Sequence, residues 1–287
     1  MITSTKNPRI VEARKLSQRK HRLQQNRFLV EGLQLLSLAM AVMAAPQLRP
    51  RIKPLELFYS EALFTGETAP RLLAQLTEAG AEAIPVAPNV MAALSERDTP
   101  QGLAATFALR NLELSLDELY LTVTPSPPHP LTPPHPLLLI LDKLQDPGNL
   151  GTLMRTADAV GARALILLEP CVDPFDPKTI RGSMGSLFTV PFTRRLNVEF
   201  LPQLIEMGYR IVGADGQRGQ PPWQSDSLAG PVALVLGNEA RGLSPELQPY
   251  LLDYVRLPLR GYAESLNVSV AGGALMYEWV RVNSIVE

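Results

Sequence analysis

The residues on which most enzyme chemistry relies are scarce in this chain. Cys171 is the one cysteine in 287 residues, which excludes an intrachain disulfide and a cysteine-based metal cluster. The three histidines are His21, in a basic stretch, and His129 and His135, in a proline-rich one. Ser-His-Asp, Cys-His and histidine–zinc sites are therefore not expected, and no metal is. Charge is sparse as well: 19% of residues are charged and the net charge is −1, so the average gives no hint of a nucleic-acid partner. The longest apolar run, Leu33–Ala45, has thirteen residues, short of the roughly 20 needed to span a bilayer; it reads as a buried helix, and no membrane partner is expected. The first twenty residues are polar and basic, without the apolar stretch of a secretory signal. Together with the single cysteine this predicts a reducing, cytoplasmic setting.

The average charge hides an asymmetry. Residues 1–27 carry eight basic side chains (Lys6, Arg9, Arg14, Lys15, Arg19, Lys20, Arg22 and Arg27) against the single acid Glu12, which leaves the rest of the chain net acidic. A basic arm on an acidic body reads, taken alone, equally as a solvated helix face or as a contact for a polyanion. With 46% apolar residues, the chain can bury ordinary globular cores.

A second asymmetry divides the chain. Seven of the fifteen residues in Thr122–Pro136 are proline, which supplies neither helix nor ladder donors and favours a semi-rigid spacer. We expect a first domain over 1–110, a linker over 111–136 and a second domain over 137–287. In the first, helix-like and strand-like stretches alternate: a basic helix over Pro8–Gln24, strands at Phe28–Glu31, Leu55–Ser60, Ala83–Val86 and Gly102–Leu109, and helices from Gly32, over Ala69–Ala79 and over Pro88–Ser95. Pro46–Pro54 reads as a loop insertion. This alternation predicts an α/β sandwich. In the second domain, Leu137–Leu141, Ala164–Leu168, Arg210–Ala214, Val232–Leu236 and Tyr254–Leu257 read as strands. Helices are expected over Leu150–Val160, Pro177–Leu187, Phe200–Met207 and Leu266–Val282. Uninterrupted apolar runs such as Leu137–Leu141 predict a mostly parallel sheet with helices on both faces.

Three loops of the second domain follow apolar strands, where open α/β sheets bind their ligands. The first is DKLQDPGNLGTLMR, Asp142–Arg155, with Asn149 expected to cap the following helix. The second is GNEARGL, Gly237–Leu243, which matches neither the dinucleotide nor the nucleoside-triphosphate fingerprint. The third is LPLRGYAESLNVSV, Leu257–Val270, with Ser265 as a helix cap. Any one of them alone is an ordinary turn before a helix; all three in this order are not.

In that order, LDKLQDPGNLGTLMRTADAVGA, LVLGNEARGL and LPLRGYAESLNVSVAGGALMYEW resemble the three motifs of the SpoU (TrmH-type) RNA 2′-O-ribose methyltransferases of the SPOUT superfamily. KTIRGSMGSLFTVP, Lys178–Pro191, is similar to a further family segment. The opening TSTKNPRIVEARKLSQRKHR, with the later FLVEG, resembles the substrate-binding domain often fused ahead of it, which implies a small α/β/α ribosomal-protein-like unit. The resemblance implies a trefoil knot in the second domain, S-adenosylmethionine as cofactor, an RNA substrate and a homodimer that completes the site. Ribosomal RNA is the expected substrate. A transfer RNA methyltransferase of the same family, or a non-catalytic RNA-binding assembly factor, is the alternative.

The chemistry suits the composition, because a sulfonium donor is already activated and needs neither a metal nor a covalent nucleophile. The family motif implies that Arg155 acts at the ribose hydroxyl. A guanidinium is a poor proton acceptor, so its expected roles are to hold an RNA phosphate and to stabilise developing oxygen charge. Asn149 and Glu239 are expected to orient Arg155 or the motif loops, and Asn267 and Ser265 to position ribose or cofactor. Cofactor contacts are expected at Gly237, Asn238, Leu257, Ser265 and Leu266, partly through main-chain atoms. Lys6, Arg9, Arg14, Arg19, Lys20 and Arg22 are the candidates for RNA contact.

Overall fold

In the computed structural model, residues 1–44, 52–109, 112–123 and 135–283 are described. In chain order they form α1 (Pro8–Lys15), α2 (Arg19–Gln25), β1 (Arg27–Glu31), α3 (Leu33–Ala44), β2 (Pro54–Tyr59), α4 (Thr68–Glu78), β3 (Glu82–Pro85), α5 (Pro88–Leu94) and β4 (Leu103–Ala108). There follow α6 (Leu116–Val123), β5 (Leu137–Asp142), α7 (Pro147–Ala159), β6 (Ala164–Leu168), α8 (Pro177–Ser183), β7 (Phe192–Arg195) and α9 (Leu201–Glu206). The chain continues through β8 (Arg210–Ala214), β9 (Val232–Leu236), β10 (Asp253–Val255) and α10 (Val268–Asn283). Most of the expected Pro46–Pro54 insertion and of the proline-rich spacer lies outside the described residues.

Two compact units result. The first comprises Met1–Leu112 with Asp173–Thr189, the second Glu113–Val172 with Val190–Glu287.

In the first unit a four-stranded sheet runs β1-β4-β2-β3. β4 pairs antiparallel with both β1 and β2, and β2 is parallel to β3. Apolar residues of α1 and α5, among them Ile10, Ala13, Val90 and Met91, form one core with Phe58 and Ile84 of the sheet. Segment 173–189 joins this unit through aromatic packing: the rings of Phe175 and Phe28 lie 4.8 Å apart, and those of Phe188 and Phe107 5.4 Å. The single basic helix expected over Pro8–Gln24 is two helices. It breaks at Leu16–Gln18, and the Leu16 and Ser17 carbonyls each accept a 2.8 Å bond from the buried Arg22 guanidinium.

The second unit is built on a six-stranded, all-parallel sheet in the order β10-β8-β9-β5-β6-β7. Every residue of β5, β6 and β9 is buried, as expected of strands covered on both faces. On one face Ile140, Ile166 and Val235 pack with Leu119 of α6 and Leu201 of α9. On the other face lie α7 and α10; a Cβ on Gly272 would stand 2.6 Å from side-chain carbons of Leu153 and Leu236. Residues 116–123, expected at the start of the linker, instead form α6. Its signal is a capping box: Glu118 N–H donates to Ser115 Oγ, and Ser115 N–H to the Glu118 carboxylate.

Candidate active site

The loops after β5, β9 and β10 meet at the carboxyl edge of the parallel sheet, and buried polar side chains fasten them together. Asp142, at the end of β5, is 1% exposed. Its carboxylate accepts from Ser244 N–H at 2.6 Å and Ser244 Oγ at 2.9 Å, which ties the first loop to the end of the second. Asn238 Nδ2 donates back to the Lys143 carbonyl at 2.8 Å.

The second loop turns on itself. Asn238 and Gly242 exchange backbone hydrogen bonds of 3.0 and 2.9 Å, while Asn238 Oδ1 accepts from the amides of Ala240 and Arg241. Gly242 has φ +67°, and a Cβ on Gly237 would stand 2.5 Å from the Gly242 backbone. Both glycines are thus required by the turn itself.

Glu239 projects from this turn toward the first loop. Its carboxylate accepts from Asn149 Nδ2 at 3.0 Å and, at 3.4 Å, from the amides of Gln145 and Asp146. Asn149 Oδ1 in turn accepts from Asn267 Nδ2 at 2.9 Å. Glu239, Asn149 and Asn267 therefore form a continuous hydrogen-bonded chain through all three motifs. These bonds run between the loops, and none of them involves the Arg155 side chain.

Two expected caps belong to neighbouring residues. Helix α7 starts at Pro147 and is capped by Asp146, whose carboxylate accepts from Asn149 N–H at 2.8 Å; Asn149 lies in the first turn. Helix α10 is capped by Asn267, whose Oδ1 accepts from Ser269 N–H at 2.9 Å, and not by Ser265. Asn has both an acceptor and a donor on one short side chain, so Asn267 caps the helix and still reaches Asn149.

These loops enclose a hollow of about 600 Å³, lined by Gly237, Asn238, Leu257, Ser265, Leu266 and Asn267 among others. It lies within the range of about 300–1,000 Å³ typical of small-molecule sites. Leu236, Leu257 and Leu266 give it apolar walls, and Asp215, Glu239 and Glu264 give it carboxylates. That mixture fits a flat heterocycle joined to a cationic amino-acid tail.

A fourth wall, Ala214–Gln217 after β8, is absent from the expected site. Its sequence signal is an apolar strand ending in Asp-Gly. Burial opposes ionisation of Asp215, but the amides of Gln217 and Arg218 and the Arg218 guanidinium outweigh it, holding the carboxyl below its usual range. Arg218 also lies 4.2 Å over the Tyr254 ring, bracing the wall from outside.

Arg155 stands apart. It is exposed on α7, does not line this hollow, and has no side-chain partner among the described residues. It lies six positions beyond Asn149, about 9 Å along the helix axis.

The six basic candidates divide by environment. Arg22 is 2% exposed and donates to Asp173 at 2.8 Å, so it is an internal tie and not an RNA contact. A buried guanidinium needs its carbonyl and carboxylate partners. Arg19 lies 4.0 Å from the same carboxylate, and Arg9 forms an exposed two-point pair with Glu82 at 2.6 and 2.8 Å. Lys6, Arg14 and Lys20 are exposed, without a side-chain partner among the described residues. No group of acidic, histidine or cysteine side chains able to hold a metal exists among the described residues, nor is any helix there long and apolar enough to cross a membrane.

Comparison with known proteins agrees with this geometry. Residues 136–277 match the model of the SpoU rRNA Methylase family, and residues 7–105 that of the MRM3-like substrate binding domain. The 23S rRNA (guanosine(2553)-2′-O)-methyltransferase RlmP of Bacillus subtilis is 34% identical over 96% of this chain and 97% of its own length. The AdoMet-bound rRNA methyltransferase of Sinorhizobium meliloti superposes with a TM-score of 0.81 at 30% identity, covering 98% of this chain and 97% of the other. The SpoU methyltransferase AviRb of Streptomyces viridochromogenes, in complex with AdoMet, gives 0.79 at 28% identity over 96% and 98%.

Proposed function

This chain belongs to the SpoU rRNA Methylase family, and from that premise we propose that it transfers a methyl group from S-adenosylmethionine to a ribose 2′-hydroxyl of ribosomal RNA. The carrying observation is the hydrogen-bonded chain Glu239–Asn149–Asn267, which closes three motif loops around one hollow. A cofactor with an activated methyl sulfonium supplies the electrophile. Gly237, Asn238, Leu257, Ser265 and Leu266 hold that cofactor, in part by main-chain atoms, and exclude water from it. Rigid loops matter here because alignment of the reacting groups can contribute on the order of 7–11 kcal/mol.

The hydroxyl is presented from outside the hollow, where Arg155 holds an RNA phosphate and stabilises the negative charge left on the ribose oxygen as its proton passes to water; the new O–CH3 bond would form as the donor's S–CH3 bond breaks, leaving a neutral thioether. The working form is a homodimer, with the trefoil knot of the family in each second unit. Arg155 lies outside the hollow of its own chain, and Val270 and Tyr277 leave an apolar stripe on α10 that is 57% and 58% exposed. A second copy covering that stripe supplies the missing side of the site. Ribosomal RNA, rather than transfer RNA, is supported by the names of the two full-length relatives from Bacillus subtilis and Sinorhizobium meliloti, both given for rRNA. We infer a cytoplasmic location from the single, buried Cys171, which fits a reducing setting.

The test is transfer of a labelled methyl group to in vitro transcribed 23S rRNA. One nucleotide should become resistant to alkaline hydrolysis on its 3′ side. Transfer to tRNA alone, or to a base rather than a ribose, would overturn the reading.

A further inference from the structure

A second hollow, of about 460 Å³, lies wholly within the first unit. Its walls are α1, the Leu16–Gln18 turn, β1, the end of α5, and residues 175–181. Resting on the RNA reading above, we propose that it takes one nucleotide of the bound RNA strand, splayed out of its stack, with the adjoining phosphates at its rim.

Charge is the first ground. Four cations (Arg14, Lys15, Arg97 and Arg181) line the hollow against two carboxylates, Glu31 and Glu96. Both carboxylates are engaged: Glu31 by Ser95 Oγ and Glu96 N–H, and Glu96 by Arg181. Lys15 pairs with Glu12. The guanidiniums of Arg14 and Arg97 remain, exposed and without a side-chain partner among the described residues. Gly32 makes room for one of them, since a Cβ there would stand 2.9 Å from Arg97 Nη2.

Shape is the second ground. Leu16, Leu35, Phe175 and Ile180 form an apolar floor, and a flat apolar body carrying an anion is what such a floor and rim accept. Single-stranded RNA offers that combination, because unstacked bases bury well while their phosphates pair with arginine. The wall is also rigid. Arg22, anchored on Asp173, holds the Leu16 and Ser17 carbonyls from behind, so the turn is set before any ligand arrives.

The experiment uses the full chain with in vitro transcribed 23S rRNA. Arg14→Ala/Arg97→Ala should weaken RNA binding by about tenfold or more and flatten the log–log salt dependence by roughly 0.7 per lost contact. Ala93→Trp, which fills the hollow from α5, should weaken binding comparably and leave the salt slope unchanged. In both variants the thermal transition of the first unit should match that of the parent, which shows that the unit carrying the hollow is folded. Photo-crosslinking of 4-thiouridine RNA to the unaltered protein provides a readout that needs no variant, with adducts expected in peptides covering residues 11–18 and 93–97. Parental RNA affinity in both variants, or crosslinks confined to other peptides, would overturn the proposal. So would guanosine 5′-monophosphate saturating the hollow without displacing the RNA, which would assign it to free nucleotides. If the unaltered protein methylates 23S rRNA while these results fail, only the nucleotide site falls. If it methylates no RNA, the functional reading falls first.

Discussion

Asn149 and Asn267, 118 positions apart in sequence, share a 2.9 Å hydrogen bond that joins the first turn of α7 to the cap of α10. Because Asn149 also donates to Glu239, the bond closes the hollow on the side of all three motifs.

Replacing Asn267 by Ala removes both halves of its work at once. Loss of the helix cap costs about 0.5–2 kcal/mol, and the Asn149 carbonyl loses its donor for about another 1 kcal/mol. Asn267→Asp keeps the cap acceptor and abolishes the donor. It should therefore retain most of the thermal stability while weakening S-adenosylmethionine. Equal cofactor affinity in Asn267→Asp and the parent, measured by calorimetry, would show that the Asn149 contact does not shape the hollow.

Arg155→Ala should leave cofactor affinity within twofold and lower single-turnover methyl transfer by about 10²–10³, the range seen when one donor to a developing oxyanion is lost. The homodimer reading adds a mixing test with Leu257→Arg, which blocks the hollow. Each variant alone should fall at least about 10²-fold below the parent. Co-refolded mixtures should recover up to about a quarter of parental activity if a site draws on two chains, since half the random dimers then carry one intact site. No recovery, with dimers present by light scattering, would place Arg155 and the hollow of its own chain in one site.

Strands and loops were legible in the sequence to different degrees, for physical reasons. Buried parallel strands such as β5 and β9 announce themselves as apolar runs, and the turns after them as glycine-bearing motifs. Strand β7, FTRR, is polar because it sits on the sheet edge, so periodicity passes over it. The break at Leu16–Gln18 is hidden because what stabilises it, Asp173, lies 151 residues from Arg22. Charge alone made Arg22 look like Lys20, and only burial separates them. Membership of the Ala214–Gln217 wall is likewise a property of strand order, which places β8 beside β9.

Arg22 and Lys20, two residues apart, should respond to mutation in opposite ways. Arg22→Ala leaves the largely buried Asp173 carboxylate with only the Phe175 amide and the more distant Arg19 and should destabilise the first unit by about 3 kcal/mol, read as an early thermal transition. Lys20→Ala should leave that transition in place, weaken RNA binding and flatten its salt dependence. An Arg22→Ala protein that melts with the parent would disprove the internal tie.

Burial pushes the Cys171 thiol from its ordinary value of 9.0 up to about 12. The folded state thus holds its proton more tightly than the unfolded state. The associated stability is complete below pH 9 and is lost as pH rises from there through 12. At pH 8 the folded thiol is almost wholly protonated and should react with iodoacetamide far more slowly than the same protein in denaturant, since thiolate is the nucleophile. Equal labelling rates in the folded and denatured states would contradict the burial.

Gly237 and Gly273 offer a contrast within the second unit. At Gly237 a methyl group would meet the Gly242 backbone at 2.5 Å, and neither strand of that turn can retreat without breaking the paired Asn238–Gly242 hydrogen bonds. At Gly273 the nearest atom is Thr156 Cγ2 at 3.9 Å, an ordinary contact, in the middle of α10. Gly237→Ala should abolish cofactor binding, because the turn that carries Glu239 opens. Gly273→Ala should raise stability by about 0.5–1 kcal/mol through helix propensity with parental cofactor affinity. Calorimetry with S-adenosylmethionine and a thermal melt on both variants decide it. Cofactor affinity retained in Gly237→Ala would mean that the turn does not form the wall of the hollow.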